Sequence, residues 1–207
     1  MKRRMNGYLL AGLIVTGLMA ALILVGLVWT PYDPDALLAG PKLEGPSLAH
    51  WLGTDSFGRD IFSRVLQGAG TTFLIALSTV AIGAVCGTAA GALTGYFGGV
   101  VDEIMMRILE IITAIPSLLV TILIMIAMGN SAVSLLIALC IASWCQTARV
   151  VRGQIMQLRE SEYVMAAEAL GERPLKIIVR HLLPNIMGIL ILEVATAIPG
   201  YIFQEAG

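Results

Sequence analysis

The sequence predicts an all-α membrane protein, a polytopic bundle of about five transmembrane helices. Three observations predict it. First, 57% of the 207 residues are hydrophobic and only 13% are charged, against roughly 25% charged in soluble domains, and mean hydropathy is +0.87. Second, the apolar residues gather into runs near the ~20 residues that cross a hydrocarbon core ~30 Å thick. Third, these runs lack the two-residue alternation of a membrane barrel, so backbone polar groups in lipid must be satisfied within helices.

The first run extends from Tyr8 to Trp29 without a charge. Lys2, Arg3 and Arg4 precede it, which leaves a cleaved signal peptide as the alternative, but the run exceeds the ~7–15 residues of a signal core. The second run is Thr71 to Phe97, the third Ile108 to Met128, the fourth Ser131 to Ala148 and the fifth Asn185 to Gln204. Residues 1–70 thus form an anchor helix and a polar loop. Residues 71–207 form a transmembrane domain with a second polar loop at about 149–184.

Basic residues set the orientation. With the N-terminus in the cytoplasm, the inner segments hold Lys2, Arg3, Arg4, Arg107, Arg149, Arg152, Arg159, Arg173, Lys176 and Arg180. The outer ones hold Lys42, Arg59 and Arg64. That bias follows the positive-inside rule. The net charge of −1 gives no reason to expect nucleic acid. Cys86, Cys140 and Cys145 all fall in apolar runs and read as small buried hydrophobes. His50 and His181 are isolated, so no metal site is expected.

The inner loop reads as two short amphipathic helices. Ser161 is a candidate cap with Glu162 in the first turn. Tyr163, Ala166, Ala167 and Leu170 then fall on one stripe. Gly171 suits a left-handed helix end and Pro174 the first turn of a second helix. Leu175, Ile178, Val179 and Leu182 make the second stripe, and Pro184 marks the return to the membrane. Arg159, Glu168, Glu172, Arg173, Lys176 and Arg180 form the polar faces. Such stripes lie on a lipid surface or in a groove of a partner protein, and the mixed charges favour a protein.

The stretch from Tyr163 to Asn185 resembles the "EAA" loop of ABC-importer permeases, which reads Glu-Ala-Ala, three residues, Gly, nine residues, Ile-x-Leu-Pro. Ala166, Ala167, Gly171, Leu183 and Pro184 match in spacing, whereas Met165 stands at the Glu position and His181 at the Ile position. His50 to Arg64, with Leu52-Gly-Thr-Asp55 and Gly58-Arg59-Asp60, is similar to the "LGTDxxGRD…SR" signature of dipeptide and oligopeptide permeases. Met106-Arg107, Glu110 and Ile115-Pro116-Ser117 resemble their "MR…D…IPS" stretch. Ala197 to Gly207 resembles the end of their fifth span. The chain is thus identified as resembling the C-type inner-membrane permease of dipeptide, oligopeptide and nickel importers.

The resemblance implies a coupling loop that docks on an ATPase, carried by Glu162, Tyr163, Ala166, Ala167, Glu168, Leu170, Gly171, Arg173, Leu183 and Pro184. It implies a second permease subunit, ABC ATPase subunits that use ATP and Mg, and an extracytoplasmic solute-binding protein, with no cofactor bound by this chain. Such permeases continue into a sixth span, so the chain reads as truncated, with a five-span protein as the alternative.

Other features stay open between two readings. Gly83, Gly87, Gly91 and Gly95 recur every fourth residue, for static helix packing or for a mobile pore-lining face. Glu110 lies one turn from Arg107, which suits a local ion pair. Glu193 has no such neighbour and is a candidate for the translocation path, as Glu110 is secondarily. Pro116 and Pro199 are expected to kink their helices, for gating or for packing. No Gly-x-x-x-x-Gly-Lys-Ser/Thr loop, Gly-x-Ser-x-Gly elbow or His-Glu-x-x-His occurs, so energy is expected from another chain or from an ion gradient. An ion-coupled transporter is the rival reading, although no inverted repeat is evident. An intramembrane enzyme is the third.

Overall fold

A computed structural model describes residues 7–206 of the chain. Lys2, Arg3 and Arg4, and Gly207, lie outside the described residues. In chain order the helices are α1 Gly7–Val28, α2 Ile61–Phe97, α3 Gly99–Ala114, α4 Ser117–Met128, α5 Ala132–Arg159, α6 Glu162–Ala169, α7 Pro174–Ile177 and α8 Leu183–Ala206. A π-helical turn, Ile178–Leu182, joins α7 to α8. There is no β-strand among the described residues, only an isolated bridge between Thr54 and Asp60.

The chain divides into two compact units, one ending at Leu74 and the other beginning at Ile75. In the first, the polar segment after α1 is a folded loop. Asp55 Oδ1 accepts the backbone N–H groups of Phe57 (2.8 Å) and Arg59 (3.0 Å), while Oδ2 takes the Arg59 Nε at 2.7 Å. Leu38, Gly40 and Leu43 donate backbone bonds to Phe57, Gly58 and Asp55, so residues 38–43 line the turn. Gly53 is left-handed at φ +77°, and a Cβ there would strike the Glu44 carbonyl.

Asp60 ends this loop and starts α2. Its Oδ2 accepts the Ser63 N–H and the Ser63 hydroxyl, each at 2.7 Å, and its Oδ1 meets His50 Nδ1 at 2.9 Å. This is a helix N-cap, a feature that stabilises by about 1 kcal/mol. Burial would push the Asp60 carboxyl up, but the bonds from Ser63 and His50 hold it below the usual carboxylate value.

Two expected spans come out longer than their apolar runs. The second starts at Ile61, ten residues before Thr71, because the Asp60 cap nucleates helix through the polar residues Arg64 and Gln67. The fourth continues past Ala148 to Arg159. Hydropathy reports where lipid ends, and the hydrogen-bonded helix continues beyond it. The loop expected from 149 therefore begins at 160.

The third expected span, Ile108 to Met128, is not one straight helix. α3 and α4 meet at Ile115–Pro116 with a 77° bend. Ile115 is extended (φ −91°, ψ 126°), as the residue before proline prefers, and Pro116 has no N–H to continue the ladder. The kink expected at Pro116 is thus a break. Pro199, by contrast, sits inside α8 without ending it. Among the described residues, four helical segments are long and apolar enough to cross a membrane by themselves, and the bent pair supplies a fifth candidate.

In the second unit α5 is the central helix, packing against α3, α4, α6 and α8. The main core gathers Ala92 and Tyr96 from α2, Val151 and Ile155 from α5, Val164 and Ala167 from α6, and Ile177, Ile178, Leu182 and Ile186 from the segment leading into α8. Several of these are fully buried large side chains, each contributing roughly 1.5–3 kcal/mol over exposure to water where water is the alternative.

Candidate functional site

The segment between α5 and α8 builds a two-turn helix held by its own neighbours. α6 closes with paired bonds: Glu172 N–H donates to the Ala167 carbonyl (3.1 Å) and Gly171 N–H to that of Glu168 (2.9 Å). This is the Schellman ending, and Gly171 occupies its left-handed position at φ +77°. Pro174 opens α7 at the first turn, where a missing N–H costs nothing. Ser161 precedes α6, but its hydroxyl donates backwards to the Leu158 carbonyl at 2.5 Å and caps no N–H.

The expected stripes are divided by the fold. On α6, Val164 and Ala167 face the core, whereas Tyr163, Met165, Ala166 and Leu170 face outward, Leu170 at 85% exposure. On the second segment Ile177, Ile178 and Leu182 are buried, and Leu175 and Val179 are exposed. The π-helical turn, with its wider i→i+5 spacing, rotates the face from Ile178 onward, whereas Leu175 and Ile177 precede it in α7. α5 and α2 explain the division on α6, because they already fill one side of it. Pro184 lies within the first turn of α8, so the membrane helix is entered before it.

The expected polar faces are largely paired. Tyr96 donates its hydroxyl to Glu168 Oε1 at 2.7 Å, and Arg159 Nη1 donates to the Tyr96 carbonyl at 2.8 Å. Glu172 receives Lys176 Nζ at 2.6 Å and His181 Nε2 at 2.9 Å. The Lys176 bond first, and then His181, hold the Glu172 carboxyl below its ordinary value. Glu162, Arg173 and Arg180 are exposed, and Leu183 is half-buried.

The glycine row of α2 lies directly on α5. A methyl group at Gly87 would fall 2.6 Å from Thr147 Cβ, and one at Gly95 would fall 2.8 Å from the Arg152 carbonyl oxygen. Gly83 and Gly91 meet Ser143 and the Ala148 backbone in the same way. The two backbones approach as closely as small residues permit. Arg152 on α5 also grips Asp102 on α3 through both Nε and Nη2.

Glu110 forms the local pair expected with Arg107, at 2.8 Å and largely exposed. Glu193 sits apart, midway along α8. It lines a cavity of about 50 Å³ with Ser143, Gln146, Thr147 and Tyr201. It also borders an adjoining open groove of about 350 Å³ with Gln146, Thr196, Tyr201 and Gln204. Among the described residues no three His, Cys, Asp or Glu side chains group as metal ligands.

The sequence pattern did not reveal Tyr96, the Asp102–Arg152 pair or the polar residues that share the cavity with Glu193. For the last a signal existed: Ser143, Gln146 and Thr147 share one helical face within an otherwise apolar run. For Tyr96 none did, since its partner lies far along the chain.

Residues 87–207 match the family described as "Binding-protein-dependent transport system inner membrane component". The chain belongs to this family. It is a multi-pass membrane protein of the permease type, and the matched region holds three of the four row glycines, the α6–α7 segment and Glu193. Among relatives, it is 36% identical over 203 residues to the oligopeptide transport system permease protein OppC of Bacillus subtilis (strain 168), covering 98% of this chain and 67% of that protein. It is 35% identical to the dipeptide transport system permease protein DppC of the same organism, over 97% of this chain and 63% of that one. It is 36% identical to the probable D,D-dipeptide transport system permease protein DdpC of Escherichia coli (strain K12), over 93% of this chain and 66% of that one. The chain therefore spans about two thirds of the length of these permeases.

Proposed function

We propose that the chain is a membrane-spanning permease subunit of an ATP-driven, binding-protein-dependent importer for dipeptides or oligopeptides. Its relatives carry those solutes in their names, and the family match supports the importer class over an ion-coupled transporter. The observation that carries the reading is α6 and its end: anchored by Val164 and Ala167, it presents Tyr163, Met165 and Leu170 outward. An apolar surface on a helix outside the spans calls for a partner groove.

In this reading the N-terminus is cytoplasmic, following the Lys and Arg distribution, and the segment docks on an ABC ATPase subunit. That subunit binds ATP and Mg and supplies the hydrolysis. A second permease subunit completes the path across the bilayer, and an extracytoplasmic solute-binding protein delivers the peptide. Closure of the ATPases pushes α6, and the push reaches the membrane through α5, α2 and α8. The mechanism is mechanical, with no chemistry on this chain.

The test is uptake of labelled trialanine by cells lacking the gene, beside labelled nickel, with co-purification of the ATPase. Loss of peptide uptake with normal nickel uptake is the expected result. Replacing the outward Leu170, 85% exposed, with Arg is expected to detach the ATPase. Unchanged peptide uptake, or full ATPase recruitment in that variant, argues against the reading.

A further inference from the structure

We propose that Glu193, with Gln146 and Tyr201, forms a subsite inside the membrane for a primary ammonium group of the solute. The inference rests on the peptide-permease reading above and names what the path holds.

Four observations converge on it. Glu193 stands mid-helix in an apolar span, where a carboxylate is costly unless it faces a cavity or a partner. Among the described residues its carboxylate has no hydrogen-bond or ion-pair partner, unlike Glu110, Asp102, Glu168 and Glu172, which are all paired. It borders both spaces at once, the cavity of about 50 Å³ and the open groove of about 350 Å³. Gln146 and Tyr201 border both as well.

The sizes admit the ligand. An ammonium group is close to a water molecule in size, and a water occupies ~30 Å³ of liquid. The smaller cavity has room for such a head group, and the open groove has room for the chain behind it. The donors and acceptors agree. An ammonium has three N–H donors and no acceptor, and the Glu193 carboxylate, the Gln146 amide oxygen and the Tyr201 hydroxyl oxygen are three acceptors. A carboxylate or phosphate head group would meet Glu193 as a like charge. The N-terminal amine of a peptide carries this head group at the end of a chain that the groove accommodates.

The assembled complex is purified in nanodiscs without the solute-binding protein, as wild type and as Glu193→Gln and Glu193→Asp. Saturation-transfer NMR then reads contact with trialanine and with N-acetyl-trialanine. Transfer to trialanine, strongest at its N-terminal methyl, is expected in wild type, largely retained with Asp and reduced about tenfold or more with Gln. N-acetyl-trialanine is expected to give no such transfer. Uptake of trialanine by cells is measured in parallel.

Equal transfer to both peptides, or unchanged transfer and uptake with Gln, overturns the subsite while leaving the permease reading intact. Loss of the second permease subunit from the Gln complex assigns the carboxylate to an inter-subunit pair, and this too overturns it. Trialanine uptake that survives deletion of the gene overturns both.

Discussion

The Tyr96 hydroxyl at the end of α2 donates to the Glu168 carboxylate on α6 at 2.7 Å. This bond joins the projecting two-turn helix to a transmembrane helix remote from it in sequence. Arg159, at the end of α5, holds the Tyr96 backbone carbonyl from the other side. α2, α5 and α6 therefore meet at one polar knot.

Tyr96→Phe removes the hydroxyl and keeps the ring. A hydrogen bond to a charged acceptor contributes about 1.5–3 kcal/mol, and the apolar core around the ring remains, so the fold is expected to survive. In the proposed mechanism the peptide carried per ATP is expected to fall about tenfold or more, with the ATPase still bound. Paired measurement of uptake and ATP hydrolysis in vesicles checks this, and an unchanged ratio contradicts it.

Leucine at Gly87 or Gly91 must push α2 away from α5. Overpacking costs typically 1–3 kcal/mol, so a lower melting temperature of the detergent-purified protein is expected. Gly17→Ala on α1, where no atom lies within 4 Å of the added methyl, is the matched control and is expected to change nothing.

Gly171→Ala places a Cβ on a left-handed residue at φ +77°. The strain is about 1–2 kcal/mol. Open space surrounds the position, so the cost is conformational and not steric. Faster amide exchange at Glu172, whose N–H closes the helix end, is the expected signature.

The Asp60 cap predicts a pH dependence. Its folded carboxyl titrates below the ordinary 3.8, so the ionised cap stabilises the folded loop above that value. This contribution declines as pH falls below 3.8 and is lost as the pH drops through the folded value. Amide exchange at Ser63 is expected to accelerate on acidification through that window. Asp60→Asn is expected to flatten the response, and equal acid sensitivity in the two proteins would contradict it.

Much of the fold was legible because lipid imposes a simple rule. Runs such as Tyr8 to Trp29 and Asn185 to Gln204 could be read from apolar length alone. What that rule cannot report is where a helix continues in water. Arg149 and Arg152 ended the fourth apolar run, yet α5 goes on to Arg159. Gly171 and Pro174 were legible because each residue type has a backbone preference that the fold uses directly. The inward face of α6 was not, since Tyr163, Ala166 and Leu170 are as apolar as Val164. Only the position of α5 and α2 decides which side is covered.

The π-helical turn between α7 and α8 has a consequence for how a push travels. It carries the chain onward without a loop, so Pro174 to Glu205 forms one 32-residue candidate span. At 1.5 Å per residue that is a rod roughly 48 Å long. Rocked about one end, such a rod sweeps its other end through roughly 0.8 Å for each degree of tilt. In the proposed mechanism, leverage of this kind would turn a slight nudge at one end of the rod into a displacement wide enough to unseat a small molecule at the other.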